Sequence, residues 1–469
     1  MGALNLKTLL VVSSVCLLAT TGDSVMTWVS PMYAKLYSDD PSINPLGRPI
    51  TREEDTWIGS IINIGSMVGG IPFGFLSSHC GRKITLLTIA VPYFISFVTL
   101  AFATDVNLYY FARLLAGIAI GGGYTLLPTY VTEITEDSTR GLMTSLLNCF
   151  WTFGNLIPYL IGPFMSALWF NVTLACLPVM FFISFMLIAP ESPYYLIGRN
   201  EVDKAEQALI TLRSGNKSTV QKELEHIKNV VENETHGSLS EIVKSRVLRK
   251  AMCIAMLIVI FQQVSGIKAI MFYLQFIFAA TGSSIPPEYS SMIFGVVLFG
   301  SSFIAPCLAD KYGRKVLLTV SSLGATVALG VLGGFFYILN ETDIDTSSFS
   351  WLPILCLICF VIFFNLGHGS VSWTVTAELF PSNVRSYSAT IVSSTTWLTG
   401  FFVTKYFSAL RDAVQDQGTF WFFSACCLVA TLFFVFVLPE TKEKSFDEIQ
   451  KMLENKKSKS DSKDANDNV

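Results

Sequence analysis

The chain has 469 residues, of which 51% are hydrophobic and only 14% are charged, and its formal net charge is −3. Soluble domains carry about 25% charged residues. The mean hydropathy of +0.52 and apolar runs long enough to cross about 30 Å of hydrocarbon exclude a soluble protein, and nothing in the charge balance suggests a nucleic-acid partner.

Twelve apolar stretches predict membrane-spanning helices, six in each half of the chain. They cover residues 7–29, 57–78, 84–104, 108–130, 141–163, 169–189, 251–280, 290–309, 315–338, 351–377, 386–408 and 418–438. We interpret the first stretch as a retained helix rather than a signal peptide, because its apolar run is too long and eleven further spans follow it.

The two halves repeat the same short motifs. The tripeptide Gly-Arg-Lys at 81–83 recurs at 313–315, a Glu followed by Arg seven positions later occurs at 133–140 and at 378–385, and Pro-Glu-Ser at 190–192 matches Pro-Glu-Thr at 439–441. A duplicated six-span unit is typical of several transporter folds, whose substrate site lies between the halves near the bilayer midplane.

The repeats predict four regions along the chain. Residues 1–189 form a first six-helix bundle, 190–250 a linker with short amphipathic helices at 201–213 and 219–232, 251–441 a second bundle, and 442–469 a largely disordered tail. The tail prediction follows from its Lys, Ser and Asp content.

Lys and Arg are concentrated in the segments that share a side with the two termini. This bias predicts that both termini are cytoplasmic. Two sequons, Asn171-Val-Thr and Asn340-Glu-Thr, then fall in outer loops, where we expect glycosylation. The alternative for Asn171 is that it lies too close to the membrane to be modified.

Eight motifs, in this order and at these spacings, resemble those of the sugar porters of the major facilitator superfamily, and more narrowly those of the insect facilitated trehalose transporters. The motifs read GFLSSHCGRK at 74–83, RLLAGIAIGGG at 113–123, Glu-x6-Arg-Gly at 133–141, PESPYYL at 190–196, QQVSGI at 262–267, ADKYGRK at 309–315, AELFPSNVR at 377–385 and PETK at 439–442. The resemblance implies an all-α membrane protein with twelve transmembrane helices in two pseudo-symmetric six-helix bundles, and a transporter rather than an enzyme. It implies no cofactor and no metal.

Charged residues at the predicted helix ends form a candidate latch on the cytoplasmic side. Carboxylate and guanidinium groups at such positions pair bidentately, and the pairs would hold the two halves together until the cavity opens inward. The latch residues are Arg82, Glu133, Arg140, Asp310, Arg314, Glu378 and Arg385. The alternative is that these charges only enforce topology. Ser78 stands where the family has Asp, so we expect a weaker latch in the first half.

The substrate site is expected to combine uncharged amides with aromatic rings, because amides bind pairs of sugar hydroxyls and rings cover their C–H faces. By the resemblance, the sugar-binding residues are Gln262, Gln263, Asn148, Asn155, Trp373 and Trp397. Helix–helix hydrogen bonding is the alternative for the amides, and plain packing is the alternative for the tryptophans. We expect Tyr273 to gate the outer side.

Two departures from the family pattern change this expectation. Lys268 replaces the Asn expected after the QQVSGI motif and is therefore a further candidate for substrate contact. In span ten, residues 367–373 lack the prolines of the family, so we expect a helix with more complete backbone hydrogen bonds that keeps two glycines for bending. His368 lies in this run, either as a titrating group or as a capped or cavity-facing side chain.

Asp23 and Lys268 are intramembrane charges that the family pattern does not explain. Each lies in the first span of its half at a similar depth, and each would cost about 2.5–3.5 kcal/mol alone at mid-bilayer. We predict that they form an ion pair across the site. The alternative is that Lys268 faces water and favours anions while Asp23 caps a neighbouring helix.

The predicted function is facilitated transport of a neutral sugar, trehalose or a hexose, through the plasma membrane by alternating access. The proton-coupled sugar porters carry an Asp directly after an aromatic residue in span one, whereas Trp28 is followed here by Val29. A small organic anion is the alternative substrate, and a non-transporting sugar sensor is the alternative class of protein. The expected partners are a sugar and the lipid bilayer.

Overall fold

The computed structural model describes residues 5–136, 138–213, 217–232, 239–283, 285–304, 308, 311–442, 444, 448–449 and 451–452. Within these ranges helices and their connections account for the whole architecture, without a strand. The prediction of an all-α membrane protein is confirmed.

The first half of the chain forms seven helices, and the second of them extends the first predicted span beyond its expected end at residue 29. They are α1 (Leu6–Thr27), α2 (Val29–Leu36), α3 (Arg52–Cys80), α4 (Arg82–Phe102), α5 (Val106–Ile134), α6 (Arg140–Ile161) and α7 (Ala167–Ile188).

Four short helices follow, and the second half comes after them. The short helices are α8 (Pro193–Gly198), α9 (Val202–Leu212), α10 (Lys217–Glu232) and α11 (Leu239–Lys244). The second half contains α12 (Arg246–Val264), α13 (Ile267–Phe272), α14 (Leu274–Ala280), α15 (Pro287–Ser301), α16 (Arg314–Glu341), α17 (Leu352–Phe364), α18 (Val371–Glu378) and α19 (Ser382–Phe436). Gln415, with φ of 61°, interrupts α19 where two predicted spans meet.

In the described ranges, nine helical stretches are long and apolar enough to cross a membrane. The last of them contains two predicted spans, while α6 and the 15-residue α15 fall outside the nine. The helix α6 carries Asn148 and Asn155 among its apolar residues, which lowers its hydropathy. The count of twelve spans therefore stays a prediction.

We name the two ends of the bundle by the segments that lie there. The tail side carries the start of α1, the short helices α8–α11 and residue 441, and the loop side carries residues 37–51 and 409–416. Successive long helices run between these two sides in alternating direction, as the repeated motifs predict.

The first span of each half is broken. In the first half, α1 ends at Thr27 and α2 begins at Val29, and the buried Arg113 donates from Nη1 to the carbonyl oxygen of Val25 at the break (2.5 Å). In the second half the break lies at Gly266, whose φ is 85°. A left-handed residue cannot continue a right-handed helix, so the loop-side part of this second span has its own direction. Trp28, between α1 and α2, keeps right-handed backbone angles.

Small residues bring α3 and α5 close together. A Cβ atom at Gly69 would lie 2.0 Å from the backbone oxygen of Ile118, and one at Gly117 would lie 2.3 Å from the oxygen of Ile62. Close backbone approach through glycines is a usual way to pack helices in a membrane, where burial in lipid gives no driving force for association. This packing fixes the position of Asn63 on α3.

The two amphipathic linker helices predicted at 201–213 and 219–232 correspond to α9 and α10. Their apolar stripes are buried against each other and against α8, as the side chains of Ala205, Leu209, Leu224 and Ile227 show. The Arg213 guanidinium joins this unit to the end of α5 through the carbonyl oxygen of Ile134 (2.9 Å).

The prediction of more complete backbone hydrogen bonding in span ten is corrected by the structure. Residues Asn365–Gly369 form a π-helix between α17 and α18. A Cβ atom at Gly367 would lie 2.5 Å from Cβ of Ser321. The π-helix, whose turn is wider than that of an α-helix, thus lies where α16 approaches closely. It forms although the family's prolines are absent from this segment.

Candidate functional site

The tail-side ends of the helices are held by two equivalent ion pairs. Arg82 donates from Nε and Nη2 to both carboxylate oxygens of Glu133 (3.1 and 3.0 Å), and Arg314 lies 3.2 Å from Oε1 of Glu378. Both pairs join helices of the same half. The expectation that such pairs bridge the two halves is therefore corrected, because each guanidinium finds its carboxylate within its own bundle.

The structure places two further predicted latch residues. Arg385 donates to the carbonyl oxygen of Phe380 (3.3 Å from Nη2), and Arg140 begins α6. Ser78, which replaces the family Asp, donates to the carbonyl oxygen of Phe75 on its own helix. Asp310 lies outside the described residues.

Two carboxylates that sequence reasoning did not place in the site cap the helices beside these ion pairs. Glu191 accepts the backbone N–H of Arg82 (2.8 Å), and Glu440 accepts that of Arg314 (2.9 Å). Burial raises the pKa of Glu191 above its ordinary value, while the backbone N–H groups oppose this shift. A carboxylate at a helix N-terminus is favoured by the helix dipole and by unsatisfied N–H groups.

Glycine is required where these carboxylates approach. Gly81 has φ of 96°, and a Cβ atom there would lie 2.3 Å from Oε2 of Glu191; the corresponding distance from Gly313 to Glu440 is 2.7 Å. The repeated Gly-Arg-Lys and Pro-Glu-Ser/Thr motifs thus form one unit in each half. The repetition of both motifs was the signal that could have identified the caps.

On the loop side, side chains join one half to the other. Tyr273 donates to Oδ1 of Asp55 (2.7 Å), Tyr37 donates to its Oδ2 (2.5 Å), and Arg52 forms an ion pair with Asp412. Asp55 is buried under the two tyrosines. We call Tyr37, Arg52, Asp55, Tyr273 and Asp412 the loop-side gate. The expectation that Tyr273 gates the outer side stays a prediction.

Further contacts between the halves continue from the gate toward mid-depth. The Nζ of Lys405 donates to the hydroxyl of Thr56 (2.8 Å) and lies 4.0 Å from the centroid of the Trp57 ring, and Tyr159 donates to the carbonyl oxygen of Met271 (2.7 Å). The halves are therefore fastened together on the loop side in this structure.

At mid-depth, Lys268 reaches from the second half into the first. Its Nζ donates to Oδ1 of Asn63 (3.0 Å) and lies 4.1 Å from the centroid of the Trp397 ring. Asn63 in turn donates to the hydroxyl of Thr404 (3.3 Å). An amide oxygen and an aromatic face thus stabilise the half-buried ammonium group, which contacts no carboxylate of the described residues.

Asp23 has its own hydrogen-bonding partners, both from the first half. Tyr124 and Asn155 each donate to one of its carboxylate oxygens at 2.6 Å. The Tyr124 ring stands perpendicular to that of Trp397, with centroids 5.5 Å apart. We call Asp23, Asn63, Tyr124, Asn155, Lys268 and Trp397 the seam cluster.

The predicted ion pair between Asp23 and Lys268 is corrected by this arrangement. In the described residues the two charged groups make no direct contact, because each is satisfied by nearer polar partners. The Trp397 ring is a neighbour of both partner sets, since it lies beside the Tyr124 ring and under the Lys268 ammonium group. The two residues nevertheless belong to one cluster that crosses the boundary between the halves.

The two glutamines are buried inside the second half. Gln262 donates to the carbonyl oxygen of His368 in the π-helix, and Gln263 donates to Oε1 of Gln262 (3.3 Å). The Oε1 atom of Gln263 is buried without a partner among the described atoms. An unpaired amide oxygen is costly inside a membrane protein, so this atom is available for a hydroxyl donor.

His368 is completely buried. Its Nε2 lies 2.7 Å from the hydroxyl of Ser322, and its ring stacks on Phe364. This placement agrees with the capped side chain rather than the titrating one.

The other predicted sugar contacts lie apart from the seam cluster. Asn148 is half-buried on α6, and Trp373 is 37% exposed on α18. No hydrogen bond or ring contact joins either residue to the seam cluster within the described part of the chain. Their assignment to the sugar site remains a prediction.

The prediction of glycosylation at Asn171 is wrong for this fold. Asn171 lies in α7, is completely buried, and uses both ends of its amide: Nδ2 donates to the carbonyl oxygen of Ala167 (2.8 Å), and Oδ1 accepts from the Trp28 indole (2.7 Å). Asn340 ends α16 on the loop side and is exposed, and its glycosylation stays a prediction.

Sequence reasoning missed Asn63, Tyr124 and Trp151 as members or neighbours of the seam cluster. The Trp151 ring lies parallel to that of Tyr124, with centroids 4.8 Å apart. An amide inside the otherwise apolar α3 was a usable signal for Asn63. The aromatic pair gave no signal, because single aromatics are common in membrane helices.

The chain matches the family model described as "Sugar (and other) transporter" over residues 10–453. It is 35% identical over 408 residues to the facilitated trehalose transporter Tret1 of Bombyx mori, covering 86% of this chain and 80% of that protein. The Tret1 protein of Culex quinquefasciatus is 36% identical over 410 residues, covering 86% and 78%.

Solved structures share the fold. The inward open conformation of the xylose transporter XylE from E. coli superposes with a TM-score of 0.75 at 23% identity, covering 94% of this chain and 99% of that chain. XylE bound to 6-bromo-6-deoxy-D-glucose gives 0.72 at 24% identity, with the same coverage.

Proposed function

This chain belongs to the sugar transporter family, and we propose that it carries a neutral sugar, trehalose or a hexose, through the plasma membrane by facilitated diffusion. The two halves rock about the seam cluster and expose it to one side at a time. Both termini face the cytoplasm, so the loop side faces the exterior. The known activity of the relatives, and the bias of Lys and Arg toward the tail side, support these assignments.

The observation that carries the proposal is the set of buried polar groups at mid-depth where the halves meet. Asn63, Lys268 and Trp397 cross the boundary, and Gln263 has an amide oxygen without a partner in the described structure. Amides and flat rings suit a sugar, whose hydroxyls need hydrogen bonds and whose C–H faces pack on aromatic surfaces. Contacts that cross the boundary must change when the halves move.

Facilitated diffusion is favoured over proton coupling by the surroundings of the first span. Trp28, in the break of that span, is followed by Val29 and donates its indole N–H to Asn171. Arg113, which lies 5.2 Å from the centroid of the Trp28 ring, donates to backbone carbonyl oxygens instead of pairing with a carboxylate. Asp23 lies more than a turn away and bonds to neutral donors.

A small organic anion is the second candidate substrate, and Lys268 is the observation that favours it. Its ammonium group carries the only positive charge in the seam cluster as defined above, and its hydrogen bond goes to a neutral amide. A carboxylate could replace that amide as its partner. The substrate panel below therefore includes carboxylates.

The proposal is tested by uptake into vesicles that contain the purified protein. Labelled trehalose and glucose should enter until the inside and outside concentrations are equal, and collapsing a proton gradient should leave the initial rate unchanged. Uptake of carboxylates but not sugars would establish the second candidate instead. Uptake of neither class would overturn both.

The variant Gln263→Ala should reduce sugar uptake about tenfold at a fixed subsaturating concentration, since one or two hydrogen bonds of about 0.5–1.5 kcal/mol each are lost. Asn107→Ala, which changes an exposed loop-side amide, is the matched control and should transport normally. Equal uptake rates for the two variants would show that Gln263 does not bind the sugar.

A further inference from the structure

A cavity lies apart from the seam cluster on the loop side, and the five gate residues form part of its wall. It has a volume of about 630 Å³, within the range of about 300–1,000 Å³ that small-molecule sites occupy. Its walls include Tyr37, Arg52, Phe276, Glu341, Phe407 and Asp416. We call this cavity the vestibule.

Two ion pairs line the vestibule: Arg52 pairs with Asp412, and Arg411 binds Asp416 with 3.1 Å between Nη2 and Oδ2. Two further carboxylates of the wall accept hydrogen bonds from neutral groups, Glu341 from the amide nitrogen of Gln417 (3.4 Å) and Asp55 from two tyrosines. These carboxylates disfavour an anionic ligand, and the oxygens and N–H groups of the wall still accept and donate hydrogen bonds. The chemistry therefore suits a neutral ligand with many hydroxyls.

Aromatic rings supply the second part of such a site. The rings of Tyr37 and Phe276 stand perpendicular with centroids 5.2 Å apart, and Phe407 stacks on Tyr273 at 4.8 Å. Rings of this kind cover the C–H faces of a sugar while paired carboxylates and amides bind its hydroxyls.

We propose that the vestibule binds a second molecule of the neutral sugar while the loop-side gate is closed. The inference rests on the proposed function, because it takes the vestibule ligand to be the transported sugar. Tyr37 and Arg52 belong to the first half, whereas Phe276, Glu341 and Phe407 belong to the second. A ligand held between both halves stabilises the closed gate, since it binds that arrangement better than the one in which the halves separate.

The vestibule therefore predicts inhibition by excess sugar from the exterior. In intact cells that express the protein, the initial uptake rate should rise with external trehalose, pass through a maximum and then fall. In Glu341→Trp, whose indole fills the vestibule, the rate should instead reach a plateau. The control is Glu288→Trp, which lies on the same side but outside the vestibule wall. Its uptake rate should still decrease at high external trehalose.

Simple saturation in the unmodified protein, or an unchanged fall in Glu341→Trp, would overturn the proposal. A direct binding measurement keeps it testable if Glu341→Trp fails to fold. The purified Gln263→Ala protein, with its central site weakened, should retain one weak site for labelled trehalose in equilibrium dialysis, and Asp416→Ala in that background should remove it.

The two proposals fail in different ways. If weak trehalose binding is lost in the Asp416→Ala background and the protein transports no sugar, the proposed function is wrong and the vestibule is a binding site for a sugar that is not transported. If the unmodified protein transports sugar normally but Gln263→Ala shows no residual binding, only the vestibule proposal is wrong.

Discussion

Asp23 and Lys268 show how this protein accommodates charge at mid-depth. Each has neutral hydrogen-bonding partners, Asp23 from the first half alone and Lys268 from across the boundary. Removing one charge therefore does not leave the other without a hydrogen bond. A direct ion pair would behave differently, because breaking one strands a buried charge at a cost of about 3–5 kcal/mol.

A double-mutant cycle of Asp23→Asn and Lys268→Gln should give a coupling energy below about 1 kcal/mol in thermal unfolding of the purified protein, since the two groups are not in contact. The cycle Arg82→Gln and Glu133→Gln is the positive control, because its bidentate contact is direct. A larger coupling energy for the Asp23 and Lys268 cycle than for the control would show that the two residues form an ion pair after all.

At the residue scale the sequence could predict which side chains are unusual but not what they touch. Asp23 and Lys268 were identifiable as costly charges in apolar spans. Their partners depend on helix rotation and on the break at Gly266, which periodicity does not report. Asn171 illustrates the same limit, since a sequon was readable but its burial against Trp28 was not.

At the scale of helices, the break at Gly266 sets the direction of α13 and α14 and so places Lys268 and Tyr273. Gly266→Ala should lower the midpoint of thermal unfolding, because left-handed backbone costs about 1–2 kcal/mol for a residue with a side chain and the new Cβ would lie 2.7 Å from the Phe423 ring. Gly334→Ala, within α16 and with open space around its Cβ, should be neutral or stabilising. Equal midpoints would show that the break tolerates an ordinary residue.

The carboxylate caps belong to the same scale. Glu191→Ala should destabilise the folded protein by about 0.5–2 kcal/mol, the usual effect of losing a helix cap, and Glu191→Gln should cost less because an acceptor oxygen remains. Thermal unfolding measures both, with the exposed Glu225→Ala on α10 as the control. If Glu191→Ala unfolds at the same temperature as this control, the cap does not contribute.

Helices and their order were predictable because apolar length and repeated motifs report them directly. The π-helix at Asn365–Gly369 was not, because it coincides with the packing of Gly367 against Ser321 on another helix. The latch motifs were also recognised, yet their pairing within each half required the distances.

At the scale of the whole molecule, the halves are fastened on the loop side, and the gate must release them for the exterior to reach the seam cluster. Tyr273→Phe removes one hydrogen bond to Asp55 and should shift the population toward the loop-side-open form, by about fivefold for a bond of about 1 kcal/mol. The reaction of Ser30→Cys, buried beside α14, with an impermeant maleimide measures this shift. Tyr109→Phe, whose hydroxyl is buried without a partner in the described structure, is the control, and equal labelling rates would exclude Tyr273 from the gate.

The surroundings of Asp23 also constrain how the chain is made. Its two donors, Tyr124 and Asn155, come 101 and 132 residues later. At about 5–20 residues per second of synthesis, the carboxylate spends roughly 5 to 20 s without either of them. The first helix therefore enters the bilayer before Asp23 has a hydrogen-bond donor. Its stable insertion depends on the emergence of α5 and α6, which carry the two donors, from the ribosome.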